Sequence, residues 1–249
     1  QDQLIQAEKL NAVGQLASGV AHEVKNPLAI ILQGVNYLEK KISSSPDKNI
    51  SETLSLIKDS IMRADTIIRT LVDFSRVAKI DMESEDINKV LEDSLVMIQY
   101  RFKLENVEII KDMKNDLPRV PVDKRKMEQV FVNIFLNAIQ AMREGGKLFI
   151  RSYSKEIDTP KEKVGRRNGD CFRLGEKVVV VEIEDTGTGI PKEHIGRIFD
   201  PFFTTKGPQQ GTGLGLSVTR NIIHMHKGLI EIESEENKGT KVIITLKIV

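Results

Sequence analysis

The chain has 249 residues, of which 40% are hydrophobic and 29% charged, and a formal net charge of +1. That suggests one or two soluble domains with a real core, and it excludes the basic footprint of a nucleic-acid binder. The lone Cys171 excludes an internal disulfide and fits a reducing compartment. No apolar run approaches the roughly 18 residues of a membrane span and no signal peptide is visible, so this segment is expected in the cytoplasm without membrane contact of its own.

The sequence opens inside a helical pattern, as if cut from a longer protein that is free to carry a membrane anchor elsewhere. Residues 3–41 read as one long helix. Leu10, Val13, Ala17, Val20 and Val24 are spaced 3, 4, 3, 4, the seam of a coiled coil or bundle. With Ala17 and Val24 at a and Val20 at d, His22 falls at f, farthest from the seam. Glu23 is its neighbour, and Asn26 lies one turn on along the same outer face. The imidazole is thus presented to solvent with a carboxylate and an amide beside it. By itself such a histidine reads as part of an ordinary polar face. Pro27 removes a backbone donor and should kink the helix.

Ser43-Ser44-Ser45-Pro46-Asp47 breaks the pattern. A second helix follows from Ser51 to Val77, where Ile50, Leu54, Ile57, Ile61, Ala64, Ile68 and Leu71 step 4, 3, 4, 3, 4, 3. Two antiparallel helices with sustained seams make a hairpin that cannot cover both of its apolar faces. A second copy would complete a four-helix bundle, so a homodimer is expected; packing against the rest of the chain is the alternative.

Lys79–Asp86 reads as a linker, Ile87–Leu104 as a helix and Val107–Ile110 as a strand. Pro118–Asp123 reads as a turn with Asp123 as N-cap, and Lys124–Arg143 as a helix ended by Gly145-Gly146. Strands follow over Lys147–Tyr153 and Lys177–Asp185, separated by a polar stretch, Ser154–Glu176, that reads as a mobile hairpin loop. A glycine-rich region runs from Asp185 to Gly215. Helix Leu214–Lys227 and strands Leu229–Ser234 and Thr240–Ile248 complete an α+β sandwich.

Three places in this second half invite chemistry. On the helix Lys124–Arg143, Asn137 continues the stripe Met127, Val130, Ile134, with Asn133 one turn earlier. A buried amide needs a partner, and its oxygen suits Mg²⁺; an amide bonded to backbone is an equally good account. In the strand Lys177–Asp185, period two aims Val179, Val181, Ile183 and hence Asp185 inward. A carboxylate there can accept from an exocyclic amine such as adenine's, and Gly187 and Gly189, just ahead of Ile190, allow close backbone approach. Finally, Gly211-Thr212-Gly213-Leu214-Gly215-Leu216 opens a helix, whose free N–H groups and positive dipole end suit phosphate. It is neither a Walker A loop nor a dinucleotide fingerprint. Residues 201–210 ahead of it read as a lid, with Phe199, Phe202 and Phe203 as hinge and anchor and Lys206 in reach of a terminal phosphate. His224 and His226 are two apart on a helix, so they point to different sides and do not pair as metal ligands.

Taken in order, these segments resemble the catalytic core of bacterial two-component sensor histidine kinases, over roughly residues 8–249. His22-Glu23-Val24-Lys25-Asn26-Pro27-Leu28 resembles the phosphoacceptor box, and Asn133-Ile134-Phe135-Leu136-Asn137-Ala138 the asparagine box. Asp185-Thr186-Gly187-Thr188-Gly189 resembles the first glycine box, Phe199-Asp200-Pro201-Phe202-Phe203 the phenylalanine box and Gly211–Leu216 the second glycine box. Asn137-Ala138-Ile139-Gln140-Ala141-Met142 and Phe202-Phe203-Thr204-Thr205-Lys206 are similar to the nitrogen-regulation-type branch.

The resemblance implies a dimerisation and phosphotransfer hairpin over residues 1–80. It implies a Bergerat-type ATP-binding α/β sandwich over 86–249, with a mixed sheet and helices on one face. ATP and Mg²⁺ are the implied cofactors. Asn133, Asn137, Gln140, Asp185, Gly187, Gly189, Ile190, Phe199, Lys206, Gly211, Thr212, Gly213, Leu214, Gly215 and Leu216 are the implied nucleotide site, with Asn137 on the metal. His22 is the implied phosphoacceptor, with Glu23 to orient its ring or act as its base, and Asn26 the positioner of a water for the reverse dephosphorylation. The implied partner is the receiver domain of a response regulator. A clamp ATPase of the wider Bergerat class, or a non-catalytic dimeric scaffold, are the rival readings; the first gives His22 and Glu23 no task, and the second predicts a damaged ATP site.

Overall fold

The computed structural model describes residues 24, 28–40, 50, 53–58, 60–61, 64, 80–158, 172–205 and 213–248. They divide into two compact units, Gln1–Lys79 and Ile80–Val249. His22, Glu23, Asn26 and the expected kink at Pro27 lie outside the described residues.

In the first unit, residues 28–40 and 53–58 are helical. Val35, Leu54 and Ile61 form a buried cluster with Leu28 and Leu32 packed against it. The heptad positions of the second helix therefore serve two different surroundings. Leu54 and Ile61 are buried, while Ile50 and Ile57 remain 42% and 39% exposed. Ile30, Ile31, Tyr37 and Leu38 are exposed as well. Two helices can bury only the stripe each turns to the other, so the second stripe is left open. Lys58 Nζ reaches Glu39 Oε2 at 3.2 Å along the exposed flank, a pair worth a few tenths of a kcal/mol at most.

The second unit begins with β1 (Glu83–Glu85) and α1 (Ile87–Leu104), then β2 (Val107–Met113) and β3 (Val120–Val122). Next come α2 (Lys124–Ala141), β4 (Gly146–Glu156), β5 (Lys177–Asp185) and the short α3 (Lys192–Ile195). It ends with α4 (Gly215–Met225), β6 (Leu229–Glu235) and β7 (Gly239–Lys247). A five-stranded sheet takes the order β2-β4-β5-β7-β6. The β2–β4 pair is parallel and the others antiparallel, so the sheet is mixed. The parallel pair follows from the long connection through β3 and α2, since a tight hairpin can join only antiparallel strands.

On β4, buried Leu148, Ile150 and Ser152 alternate with half-exposed Phe149, Arg151 and Tyr153. The buried side lies under the helices: α2 packs on β5 and β7, and α4 on α2 and β6. The outer side carries polar pairs such as Arg151 Nη1 to Glu184 Oε2 at 2.7 Å and Tyr153 Oη to Glu182 Oε1 at 2.8 Å. Burial and the Glu182 carboxylate together push the Tyr153 phenol up to about 12.

Two short elements depart from the sequence expectation. β1 lies inside the expected linker and β3 inside the expected turn, and they pair with each other antiparallel. Strands of three residues are too short for periodicity to announce, and Pro121 sits in one of them. β4 also runs to Glu156, with the Ile157 N–H donating to Glu176 O at 3.0 Å. The hairpin arms are thus longer, and the expected loop shorter, than Ser154–Glu176.

Candidate functional site

β5 ends on Asp185, only 7% exposed, after a run of buried valines and Ile183. Its Oδ1 accepts the Gly187 N–H at 2.9 Å. The following turn is braced on three sides. Thr186 and Lys147 exchange bonds through N–H to O at 3.2 Å and Oγ1 to N–H at 3.0 Å. A Cβ on Gly187 would lie 2.7 Å from the Ala141 carbonyl oxygen, and the Thr188 N–H donates to that same carbonyl at 3.1 Å. Gly189, with φ +66°, has no room for a Cβ against Glu235 O. The Asn237 N–H donates to Thr188 O at 2.7 Å, and the Ile190 N–H to Ser234 Oγ at 2.8 Å. These glycines are therefore required by contact between the loop, the end of α2 and the β6–β7 hairpin, whatever the loop binds.

α2 starts at Asp123, whose Oδ1 accepts the Lys126 N–H at 3.1 Å. Its buried face is Met127, Val130, Phe131, Ile134, Phe135, Ala138 and Ile139. Asn133, Asn137 and Gln140 share the half-buried flank beside it. Asn137 is thus not in the core, as the stripe from Met127 had it. A 3-4-3-4 run drifts by about 20° per heptad around a straight helix, so a stripe that starts in the core at Met127 reaches its edge by Asn137. The Asn137 side chain makes no hydrogen bond among the described residues. Asn133 Nδ2 donates to Gly215 O at 3.5 Å, tying this flank to the start of α4.

Gly213, Leu214, Gly215 and Leu216 are the described part of the second glycine segment; Lys206, Gly211 and Thr212 lie outside the described residues. Gly213 has φ +66°, and a Cβ there would overlap the Phe202 backbone. Leu214 is fully buried and anchors the helix start; its carbonyl accepts the Val218 N–H at 2.9 Å and Ser217 Oγ at 2.8 Å. Among the described residues, no side chain caps the N-terminus of α4. A Cβ added to Gly215 would meet nothing within 4 Å.

The three phenylalanines do not form one anchor. Phe199 is half-buried with the Arg220 guanidinium 5.2 Å from its ring centre. Phe203 sits beside Arg197 at 4.6 Å and His194 at 5.5 Å. Phe202 is 58% exposed and holds φ +66°, a conformation rare outside glycine.

His226 serves in a hydrogen bond across the fold, a role that its spacing from His224 does not announce. The ring is buried at the end of α4. Its Nε2 accepts the Asp123 N–H at 2.9 Å, and Nδ1 lies 2.8 Å from Ile222 O. Burial pushes its pKa below the ordinary histidine value, outweighing the Ile222 carbonyl and the Asp123 carboxylate. Its spacing carried no signal; only the fold brings residues 123 and 226 together. Among the described residues, no three His, Cys, Asp or Glu side chains gather into a metal site, and no helix is long and apolar enough to cross a membrane.

Residues 122–249 match the family described as histidine kinase-, DNA gyrase B- and HSP90-like ATPase. Residues 12–80 match the His kinase A (phospho-acceptor) domain. The chain is 38% identical over 240 residues to the sensor kinase CckA of Brucella abortus, covering 96% of this chain and 25% of that protein. It is 33% identical over 248 residues to the signal transduction histidine-protein kinase AtoS of Escherichia coli, covering 100% of this chain and 37% of the other. The chain thus spans between a quarter and two fifths of these relatives' length. A solved structure of histidine kinase ThkA in complex with response regulator protein TrrA is similar, with a TM-score of 0.65 and 25% identity, covering 98% of this chain and 64% of that one.

Proposed function

The chain belongs to the two-component histidine kinases as a catalytic core, and on that premise we propose that it autophosphorylates His22 from Mg-ATP and passes the phosphoryl group to an aspartate of a response-regulator receiver domain. The observation that carries the nucleotide half is Asp185. It is a nearly buried carboxylate at a strand end, held beside a braced loop that packs on the end of α2. In this reading Asp185 accepts from the adenine amine, with Gly187, Gly189 and Ile190 fixing the loop around it. Asn133, Asn137, Gln140 and Phe199 line the same site. Gly211, Thr212, Gly213, Leu214, Gly215, Leu216 and Lys206 hold the phosphates, which fits an α4 N-terminus that no described side chain caps.

Asn137 fits a place in a Mg²⁺ shell, since its amide has no protein partner among the described residues and its oxygen is a hard ligand. When bound, the ion neutralises charge on the triphosphate. Transfer itself needs mainly positioning. A ring nitrogen of His22 forms a bond to the γ-phosphorus as the bond to the β,γ-bridging oxygen breaks and ADP leaves; Glu23 takes the ring proton. The unperturbed imidazole is largely neutral at pH 7, which leaves that nitrogen free to attack. Asn26 positions water for the reverse dephosphorylation of the regulator. The expected hinge over Lys79–Asp86 shortens, because Glu83–Glu85 is held against Val120–Val122.

A homodimer is part of the same proposal. The open apolar stripe of Ile30, Ile31, Tyr37, Leu38, Ile50 and Ile57 supports a second copy. The segment is placed in the cytoplasm, where ATP and the regulator are. The clamp-ATPase reading leaves that hairpin and His22 without a task.

Incubation with γ-labelled ATP and Mg²⁺ tests the proposal, wild type beside His22→Gln. Acid-labile, alkali-stable label on the wild type, absent from His22→Gln, is the expected result. Phosphate release unaffected by the substitution, with no labelled protein, would sink it in favour of the clamp.

A further inference from the structure

α2 and α4 run antiparallel, and they are tied at two levels. Asn133 Nδ2 meets Gly215 O at one level, and the Asp123 N–H meets His226 Nε2 at the other. Ten residues of α2 separate the two ties, roughly 15 Å of helix. The lower tie involves a backbone donor, so it fixes the start of α2 directly. It also fixes the end of the helix whose beginning is the second glycine segment. The two helices that carry Asn137 and Gly215 therefore keep their register through the ring of His226.

That ring is used at both nitrogens. The Asp123 N–H requires an acceptor, and the Ile222 carbonyl, which already accepts the His226 backbone N–H at 3.1 Å, can only accept, so the Nδ1 beside it must donate. Only the neutral ring with its proton on Nδ1 supplies both. A second proton would set Nε2–H against the Asp123 N–H and leave both donors without an acceptor in a buried place, which costs more than the bond itself. The charged group that acts on the ring is the Asp123 carboxylate, and it is already engaged by the N–H groups of Lys126 and Asp81. Lys124, next along α2, is drawn to Asp93 at 2.7 Å and lies 3.8 Å from Glu128.

We propose that His226 is a positioning residue for the nucleotide site, and that protonation of its ring at mildly acid pH loosens the α2–α4 register and weakens nucleotide binding. The assignment rests on the nucleotide-site reading above. Burial holds the ring's proton affinity below that of a free histidine, whose ordinary value is 6.5. Affinity is therefore intact at and above neutral pH and is lost as pH falls through the ring's own, lower pKa.

The test is the dissociation constant of AMPPNP with magnesium for the full chain, from about pH 8 to about pH 5, wild type beside His226→Gln. The glutamine Oε1 can accept the Asp123 N–H and does not titrate, whereas ionisation of the nucleotide itself affects both proteins equally. The wild type is expected to lose on the order of fivefold more affinity than His226→Gln across that range. Parallel profiles overturn the assignment. Absence of binding by the wild type at about pH 8 instead sinks the nucleotide-site reading. If His226→Gln does not fold, ¹⁵N NMR of the wild-type ring decides: Nε2 must be the unprotonated nitrogen at neutral pH, and its titration must coincide with the loss of affinity. An affinity loss complete before the ring titrates overturns the assignment.

Discussion

The two glycine segments of the sheet unit look alike on paper and are built on different grounds. Around Asp185, both loop glycines are pressed against protein: Gly187 against the Ala141 carbonyl and Gly189 against Glu235 O. Of the two described glycines of the second segment, Gly213 is pressed against the Phe202 backbone, while a Cβ on Gly215 would meet nothing within 4 Å. The first loop would keep its glycines with no ligand in existence. Gly215, at the start of a helix, is the one that no described neighbour requires, since alanine is the better helix former there.

The largest effect should come from the glycine that is both pressed and left-handed. Gly189→Ala puts a Cβ into Glu235 O and forces alanine to φ +66°. Urea unfolding followed by circular dichroism should show a loss of about 3 kcal/mol or more. A loss below about 1 kcal/mol would mean that the β6–β7 hairpin yields easily and the loop is less braced than its bonds suggest.

Gly215→Ala should do the opposite. Stability should hold or rise by about 0.5–1 kcal/mol from helix propensity alone. Affinity for Mg-AMPPNP, read by titration calorimetry, should fall by an order of magnitude or so if phosphate approaches this backbone within hydrogen-bond distance. Stability and affinity moving apart is the signature of a glycine kept for a ligand. Unchanged affinity would place both segments in one class and remove the phosphate role from the start of α4.

This contrast marks where the sequence stops speaking. The layers of the second unit were legible, because 3.6- and 2-residue periods are local: α1, α2, α4 and five strands of the sheet all announce themselves. Asp185 was legible too, since alternation from Val179 aims it inward. The stripe from Met127 sets Asn137 too deep, because a strict heptad drifts around a straight helix. The β1–β3 pair was missed because three-residue strands have almost no period to read. His226 was missed for a deeper reason. Its partner Asp123 lies 103 residues away, and its task is to accept a backbone N–H, which leaves no trace in side-chain spacing. Which glycines touch protein and which face open space is likewise a property of tertiary contact, and no motif encodes it.

The smallest effect sharpens the account of how the second segment is held. Thr219 lies one turn past Gly215 on α4, fully buried, and its Oγ1 has no hydrogen-bond partner among the described residues. A helical threonine ordinarily bonds the carbonyl four residues back. Here that carbonyl is Gly215 O, which accepts from Asn133 Nδ2 instead. If the Asn133 tie is what holds the α4 start, the threonine hydroxyl contributes nothing but its desolvation. Thr219→Val keeps the shape and removes the orphan, so unfolding free energy should rise by about 1 kcal/mol with nucleotide affinity unchanged. A loss of stability of similar size would show that the hydroxyl has a partner in solution, and that Gly215 O is held by Thr219 in place of Asn133.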